Sequence, residues 1–206
     1  MLEGVFHLGH ASIKIKKNIT IYIDPFNIKE ASYDADLIFC THSHYDHLSV
    51  QDIRKVAKSN SIIILPKEAE DKVKELNLKI LTVEPGKDYT VSSISFSTTY
   101  AYNIGKQFHP KEKKWVGYII KVDNIKYYIA GDTDSVPEIQ NLSVDVAFLP
   151  VGGTYTMNWK EAAMLANKLK PKYAIPIHFG DVVGSISDAK SFAEQIQEPT
   201  EAKILK

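Results

Sequence analysis

Six consecutive residues, His42-Ser43-His44-Tyr45-Asp46-His47, limit what this chain can fold into more than any other stretch of it. Three imidazoles and a carboxylate so close together converge on one point only where the backbone turns, because a helix or a strand would spread them over different faces. Residues 36–41, just before the motif, form a short apolar run that reads as a buried strand. Just after it, Ser49 reads as a helix N-cap, with Ile53, Val56 and Ala57 recurring at helical spacing. The motif is therefore expected in a turn at a strand end. Neutral imidazole together with carboxylate suits zinc, iron or manganese. So short a segment cannot wrap one ion with all four side chains, and further ligands must come from elsewhere in the chain.

The surrounding pattern interleaves strands and helices around a central block of hairpins. Alternation over residues 11–16 and the β-branched run 19–23 predict two paired strands ending at Asp24-Pro25. Strands are also predicted at 61–65, 79–83, 93–102, 115–122, 125–130, 145–150 and 173–177, and helices at 66–76, 158–169 and 187–196. Asp123-Asn124 is a two-residue hairpin connection. This order predicts an α/β protein, a four-layer αββα sandwich of two mixed β-sheets with helices on both outer faces. A chain of 206 residues with no linker or repeat is expected to form one domain over 1–206.

Charge and cysteine content narrow the function. Lys+Arg and Asp+Glu are both 25, so no broad electrostatic grip on nucleic acid or an anionic membrane is expected. Arg54 is the only arginine, which leaves no guanidinium clamp for phosphate. Cys40 is the only cysteine, so cysteine-based zinc sites are excluded, and its apolar neighbours predict a buried, inert thiol. No apolar run approaches the ~20 residues of a membrane helix. No basic-then-apolar leader is seen, and a soluble cytoplasmic protein is expected.

Two later segments offer further ligands. Asp132, in Gly131-Asp132-Thr133-Asp134, follows the 125–130 strand, where its carboxylate either bridges two ions or caps the turn into 136–140. His178, in Pro176-Ile177-His178-Phe179-Gly180, ends a strand before a glycine turn; alone it would be structural, but the upstream motif makes it a ligand candidate. In the polar 105–114 segment, Lys106 and Lys111 either receive an anionic substrate or belong to a solvated loop. The glycines of Gly152-Gly153-Thr154-Tyr155 allow close backbone approach, with Tyr155 a candidate for the pocket wall, although a tight turn explains them equally well.

His-x-His-x-Asp-His after a strand, a later Gly-Asp-Thr and a late His after an apolar strand together resemble the metallo-β-lactamase superfamily over almost the whole chain. Gly9-His10-Ala11-Ser12, Asp24-Pro25, residues 152–157 and the Pro-Ile-His segment look like a compact subgroup of metal-dependent hydrolases. That subgroup is akin to the sugar-lactone hydrolases and the N-acyl-phosphatidylethanolamine phospholipase D-like proteins. The resemblance implies that His42 and His44 belong to a first metal site and Asp46, His47 and His178 to a second, with Asp132 bridging. It implies that Asp24 orients a ligand imidazole, with His10 in a similar or purely structural role. The superfamily's third first-site histidine is missing, and Asn103 falls where it would be. Either the first site is weak, with Asn103 a poor ligand, or it takes a harder ion such as manganese, or His109 folds back to substitute. A weakened first site is favoured here, with His109 contacting substrate or orienting a ligand.

The function expected is a metal-dependent hydrolase with one or two divalent ions, zinc first and manganese or iron as alternatives. A metal-bound water or hydroxide, with Asp46 orienting or deprotonating it, would attack a small ester, lactone or phosphodiester, an anionic one included. The other class kept open is a non-catalytic metal-binding or regulatory protein with a degenerate first site. Oligomeric state is left open.

Overall fold

The structure, a computed structural model, describes residues 1–205. It divides into two compact units, residues 2–84 and residues 85–205 with Met1.

The N-terminal unit is a six-stranded mixed sheet: β1 (Val5–Gly9), β2 (Ser12–Lys16), β3 (Thr20–Ile23), β4 (Ala35–Phe39), β5 (Ala57–Pro66) and β6 (Lys79–Val83), in that spatial order. β1, β2 and β3 run as antiparallel neighbours, while β3 to β6 are parallel. Helix α1 (Val50–Val56) starts at Ser49, whose side chain accepts from Asp52 N. One core gathers Tyr22, Ile38, Ile63 and Leu65 from the strands with Ile53 and Val56 from α1. The alternate strand residues Ile21, Leu37, Phe39 and Ile64 are buried as well. Burial on both faces explains why β4 and β5 read as continuous apolar runs.

The C-terminal unit is a seven-stranded mixed sheet built from β7 (Asp88–Val91), β8 (Ile94–Tyr100), β9 (Val116–Val122), β10 (Ile125–Ile129), β11 (Val146–Pro150), β12 (Tyr173–Ile177) and β13 (Glu201–Ala202), each strand beside its sequence neighbour. β7 to β10 are antiparallel and β10 to β13 parallel. Asp123 and Asn124 both have positive φ, 50° and 62°, as the tight turn between β9 and β10 requires. Helices α2 (Trp159–Leu169) and α3 (Ile186–Gln195) begin with capping boxes at Asn158 and Ser185. They bury Ala162, Leu165, Ala166, Ala189 and Phe192 against Tyr128, Ala147, Leu149 and Ala174 of the sheet.

The α/β class and the two mixed sheets are as the sequence predicts. Three strands are not predicted. β1 leaves four of its five residues, and β7 all four, partly or fully exposed, so they lack the buried alternation of a core strand, and β13 has two residues. Residues 67–76 form a 3-10 helix rather than an α-helix, although the buried pair Ala69 and Val73, four apart, has the α-helical spacing.

Strand direction decides where the chemistry lies. In the N-terminal unit β1, β3 and β4 point the same way, so His10, Asp24 and Thr41 leave the same edge of the sheet. In the C-terminal unit β8, β10, β11 and β12 share a direction, so Asn103, Asp132, Gly152 and His178 leave one edge there. Ligands of open α/β sheets gather at such carboxyl ends.

Candidate metal centre

In the N-terminal unit, Asp24 organises the motif. Its carboxylate accepts hydrogen bonds from Thr41 N (2.8 Å) and Thr41 Oγ1 (2.7 Å) and lies 2.7 Å from His47 Nδ1. A carboxylate flanked by donors accepts, so His47 carries its proton on Nδ1 and keeps a lone pair on Nε2. The Thr41 hydroxyl spends its one hydrogen on Asp24. Toward His42 Nδ1, 3.0 Å away, it can only accept, which protonates Nδ1 and leaves the lone pair of His42 on Nε2. One buried aspartate thus sets the tautomers of two imidazoles.

The spacing divides the motif into two pairs. His42 Nε2 and His44 Nδ1 are 3.1 Å apart, and His47 Nε2 and Asp46 Oδ2 are 3.7 Å apart. Two ligands about 2.1 Å from one ion stand about 3 to 3.5 Å from each other, so each pair has the separation of two ligands on one ion. His10, Asp46 and His47 also lie within ligand reach of one another. However, His10 Nε2 sits 2.9 Å from Asp46 Oδ2 and must donate to it. A bond of that length lets His10 orient the carboxylate, although its ring also stands among the groups that could hold an ion. His10 and Asp24 both hold positive φ, 48° and 46°, a conformation non-glycine residues adopt mainly where the surroundings impose it.

In the C-terminal unit, Asp132 Oδ2 lies between two imidazoles, 3.1 Å from His178 Nε2 and 3.2 Å from His109 Nε2. All three side chains are buried. The Asp132 carboxylate caps no helix: the 3-10 turn that follows has Val136 at its N-cap and no side-chain capping bond.

Asn103 is engaged on both sides of its amide. Its Oδ1 accepts from His109 N at 3.0 Å and lies 3.0 Å from His109 Nδ1, while its Nδ2 donates to Tyr155 O at 2.9 Å. A backbone donor on one side and a backbone carbonyl on the other fix the orientation of the amide. Its oxygen therefore receives the Nδ1 proton of His109, whose lone pair is left on Nε2, toward Asp132. Both heteroatoms of the Asn103 amide are therefore engaged within the loop, and its oxygen holds the His109 imidazole. The bond from Asn103 N to His109 O at 2.8 Å closes the loop between them and brings together residues six apart.

The other expected site residues are placed as follows. Lys106 Nζ pairs with Asp134 Oδ1 at 2.5 Å and donates to Thr156 O at 2.8 Å. Lys111 Nζ pairs with Glu138 Oε1 at 2.7 Å. Each ammonium is engaged by a carboxylate rather than set out for an anion. Tyr155 is half-buried, its ring edge-on to Phe108. Cys40 is fully buried, and burial, helped by the Asp24 carboxylate, pushes its thiol well above the ordinary range, the condition of an unreactive cysteine. Thr41 was not foreseen; its only signal is its position between the end of β4 and His42.

Gly152 does support the site. A Cβ there would stand 2.6 Å from His178 O and 3.3 Å from His178 Nδ1. Gly152→Ala is expected to displace His178, lowering stability by about 1–3 kcal/mol and lowering metal affinity; a thermal melt and a chelator titration check this. An alanine variant matching the wild type in both would contradict it.

The donor set fits a divalent transition metal: imidazole nitrogens with fixed tautomers beside carboxylate oxygens, and no thiolate. Residues 5–178 match the model of the beta-lactamase superfamily domain, and the chain belongs to that family. Within it, the chain is 31% identical to a UPF0173 metal-dependent hydrolase of Thermococcus onnurineus over 97% of this chain and 94% of the relative. It is 30% identical to another from Pyrococcus furiosus, over 98% and 96%. Among solved structures, that of a Parabacteroides distasonis protein, also designated a metal-dependent hydrolase, superposes with a TM-score of 0.83 at 29% identity, over 98% of this chain and 91% of that one. The metallo-beta-lactamase fold protein YhfI of Bacillus subtilis, at 11% identity, matches in fold with a TM-score of 0.73 over 96% and 89%. The chain has the metallo-β-lactamase fold expected from its sequence. Among the described residues no helix is long and apolar enough to cross a membrane.

Proposed function

We propose that the chain binds two divalent ions, zinc first with manganese or iron as alternatives, and that it hydrolyses a small ester, lactone or phosphodiester in the cytoplasm. The class, a metal-dependent hydrolase, follows from the family. His42, His44 and His109 would hold the first ion, and Asp46, His47 and His178 the second, with Asp132 between them. The family match runs unbroken across residues 84 and 85, which supports a single functional domain made of both units.

Asn103 carries this reading. By presenting His109 Nε2 to Asp132 it supplies the third imidazole that the sequence lacked at the expected position. This supports a complete first site rather than a degenerate one.

When bound, such ions supply Lewis acidity and lower the pKa of a water in their shell toward about 7. The chain's own groups do the positioning. His10 holds Asp46 Oδ2, which leaves Oδ1 to accept a proton from the attacking water. Asp24 and Thr41 keep His42 and His47 in the tautomers that face the ions, and Asn103 does the same for His109. No side-chain nucleophile is required.

Metal analysis of protein purified without chelator is expected to give about two equivalents. Asp132→Ala should lose most of both ions and at least about a thousandfold in turnover of any ester or phosphodiester the wild type cleaves. Less than about 0.3 equivalents, with no uptake of added zinc, manganese or iron, would sink the reading.

A further inference from the structure

The loop that presents His109 also holds two apolar side chains in water. Asn103 and His109 pair through backbone and side chain and so close the loop at its base. Ile104 and Phe108 are the next residues outward on its two arms, and they are 58% and 46% exposed. The loop is pinned nonetheless: Ile104 N donates to Asp134 Oδ2 at 2.7 Å, and Lys106 bonds Asp134 and Thr156. Apolar groups held in water by a fixed backbone contribute little burial to folding, and where they cluster they mark a binding surface.

Phe108 meets Tyr155 edge to face, ring centroids 4.7 Å apart. The carbonyl of Tyr155 in turn binds Asn103. The apolar wall and the metal-facing imidazole therefore share one support. The N-terminal unit shows a similar feature on its own: Tyr45, inside the metal motif, is 67% exposed and lies edge-on to Phe26. Lys106 and Lys111 are paired with carboxylates, and Lys72, which reaches the motif, donates to Ser43 O at 2.7 Å.

We propose that Ile104, Phe108 and Tyr155 form the wall that receives an uncharged apolar group of the substrate, an acyl chain or an aromatic ring, so that the enzyme acts on neutral, hydrophobic esters or lactones. The proposal rests on the hydrolase reading above, and its test separates the two.

The full chain, loaded with zinc, is titrated with acetohydroxamate, octanohydroxamate and the monohydroxamate of succinic acid. Octanohydroxamate should bind at least about tenfold tighter than acetohydroxamate, the gain from burying two or more methylenes, and the carboxylate tail should bring no gain. In the double variant Ile104→Ser with Phe108→Ala the chain-length ratio should fall below about threefold at unchanged zinc content. Both side chains are exposed, so the variant should fold. A flat chain-length series in the wild type, a ratio untouched by the double variant, or tightest binding of the carboxylate tail would overturn the apolar wall. If no hydroxamate binds, the metal reading fails instead. The wall is then judged by Nile red, an uncharged dye that needs no metal: brighter emission on the wild type than on the double variant supports it, and equal emission overturns it. A dimer seen in sedimentation and lost in the double variant would overturn it in favour of a contact between copies of the chain.

Discussion

Asp24→Asn is expected to lower metal affinity by about 10- to 100-fold while leaving the protein folded. The carboxylate holds Thr41 at two points and His47 at Nδ1. A carboxamide of the same shape offers one acceptor oxygen and one NH2 group. Wherever the NH2 points, it meets a group that was donating, either His47 Nδ1 or Thr41. His47 escapes that clash by moving its proton to Nε2, the nitrogen proposed to bind metal, and a turned Thr41 hydroxyl releases His42 from its tautomer. On the proposed assignment affinity should fall for both ions, since His42 and His47 would serve different ones. Asn tolerates the positive φ of this position, so the loss reports the hydrogen-bond pattern rather than the backbone. Asp24→Ala adds a structural cost, about 3 kcal/mol, by leaving buried donors unpaired. Competition with a coloured chelator measures the affinity and urea unfolding of metal-free protein the stability. Wild-type affinity in Asp24→Asn would show that the tautomers are set in some other way.

Asn103→Leu should weaken one ion by about 10- to 100-fold and spare the other. The amide oxygen receives both N–H groups of His109, and leucine receives neither. His109 is then free to turn its protonated nitrogen toward Asp132. Asn103→Asp keeps an acceptor for both donors but loses the bond to Tyr155 O, so it should recover part of the affinity. That rescue distinguishes a positioning role from a merely structural one, because both variants disturb the turn but only leucine removes the acceptor. Equal loss in both variants, or no loss in either, would leave Asn103 as an ordinary loop residue.

Much of this was legible in the sequence. The motif at 42–47 announced metal, and the apolar runs of β4, β5, β11 and β12 announced strands. Asp132 and His178 could be picked out because each follows such a run at a turn. The edge strands β1 and β7 could not, since half-exposed residues leave no alternation to read. Thr41 was invisible for another reason: a threonine at a strand end is ordinary, and its role depends on Asp24, 17 residues earlier, meeting it across two parallel strands.

Asn103 and His109 show the same limit at the site. The sequence placed an amide where an imidazole was expected and left three explanations standing. Composition and spacing specify which donors a chain has, because ligand chemistry belongs to the side chains themselves. They do not specify which nitrogen of an imidazole bears the proton, or whether a loop doubles back. Those depend on hydrogen bonds of 2.7 to 3.0 Å between residues that only the folded backbone brings together. The sequence by itself pointed to the metallo-β-lactamase fold and to His and Asp side chains able to bind metal. The tertiary structure decided that His109 rather than Asn103 faces Asp132, and that Lys106 and Lys111 are held by carboxylates.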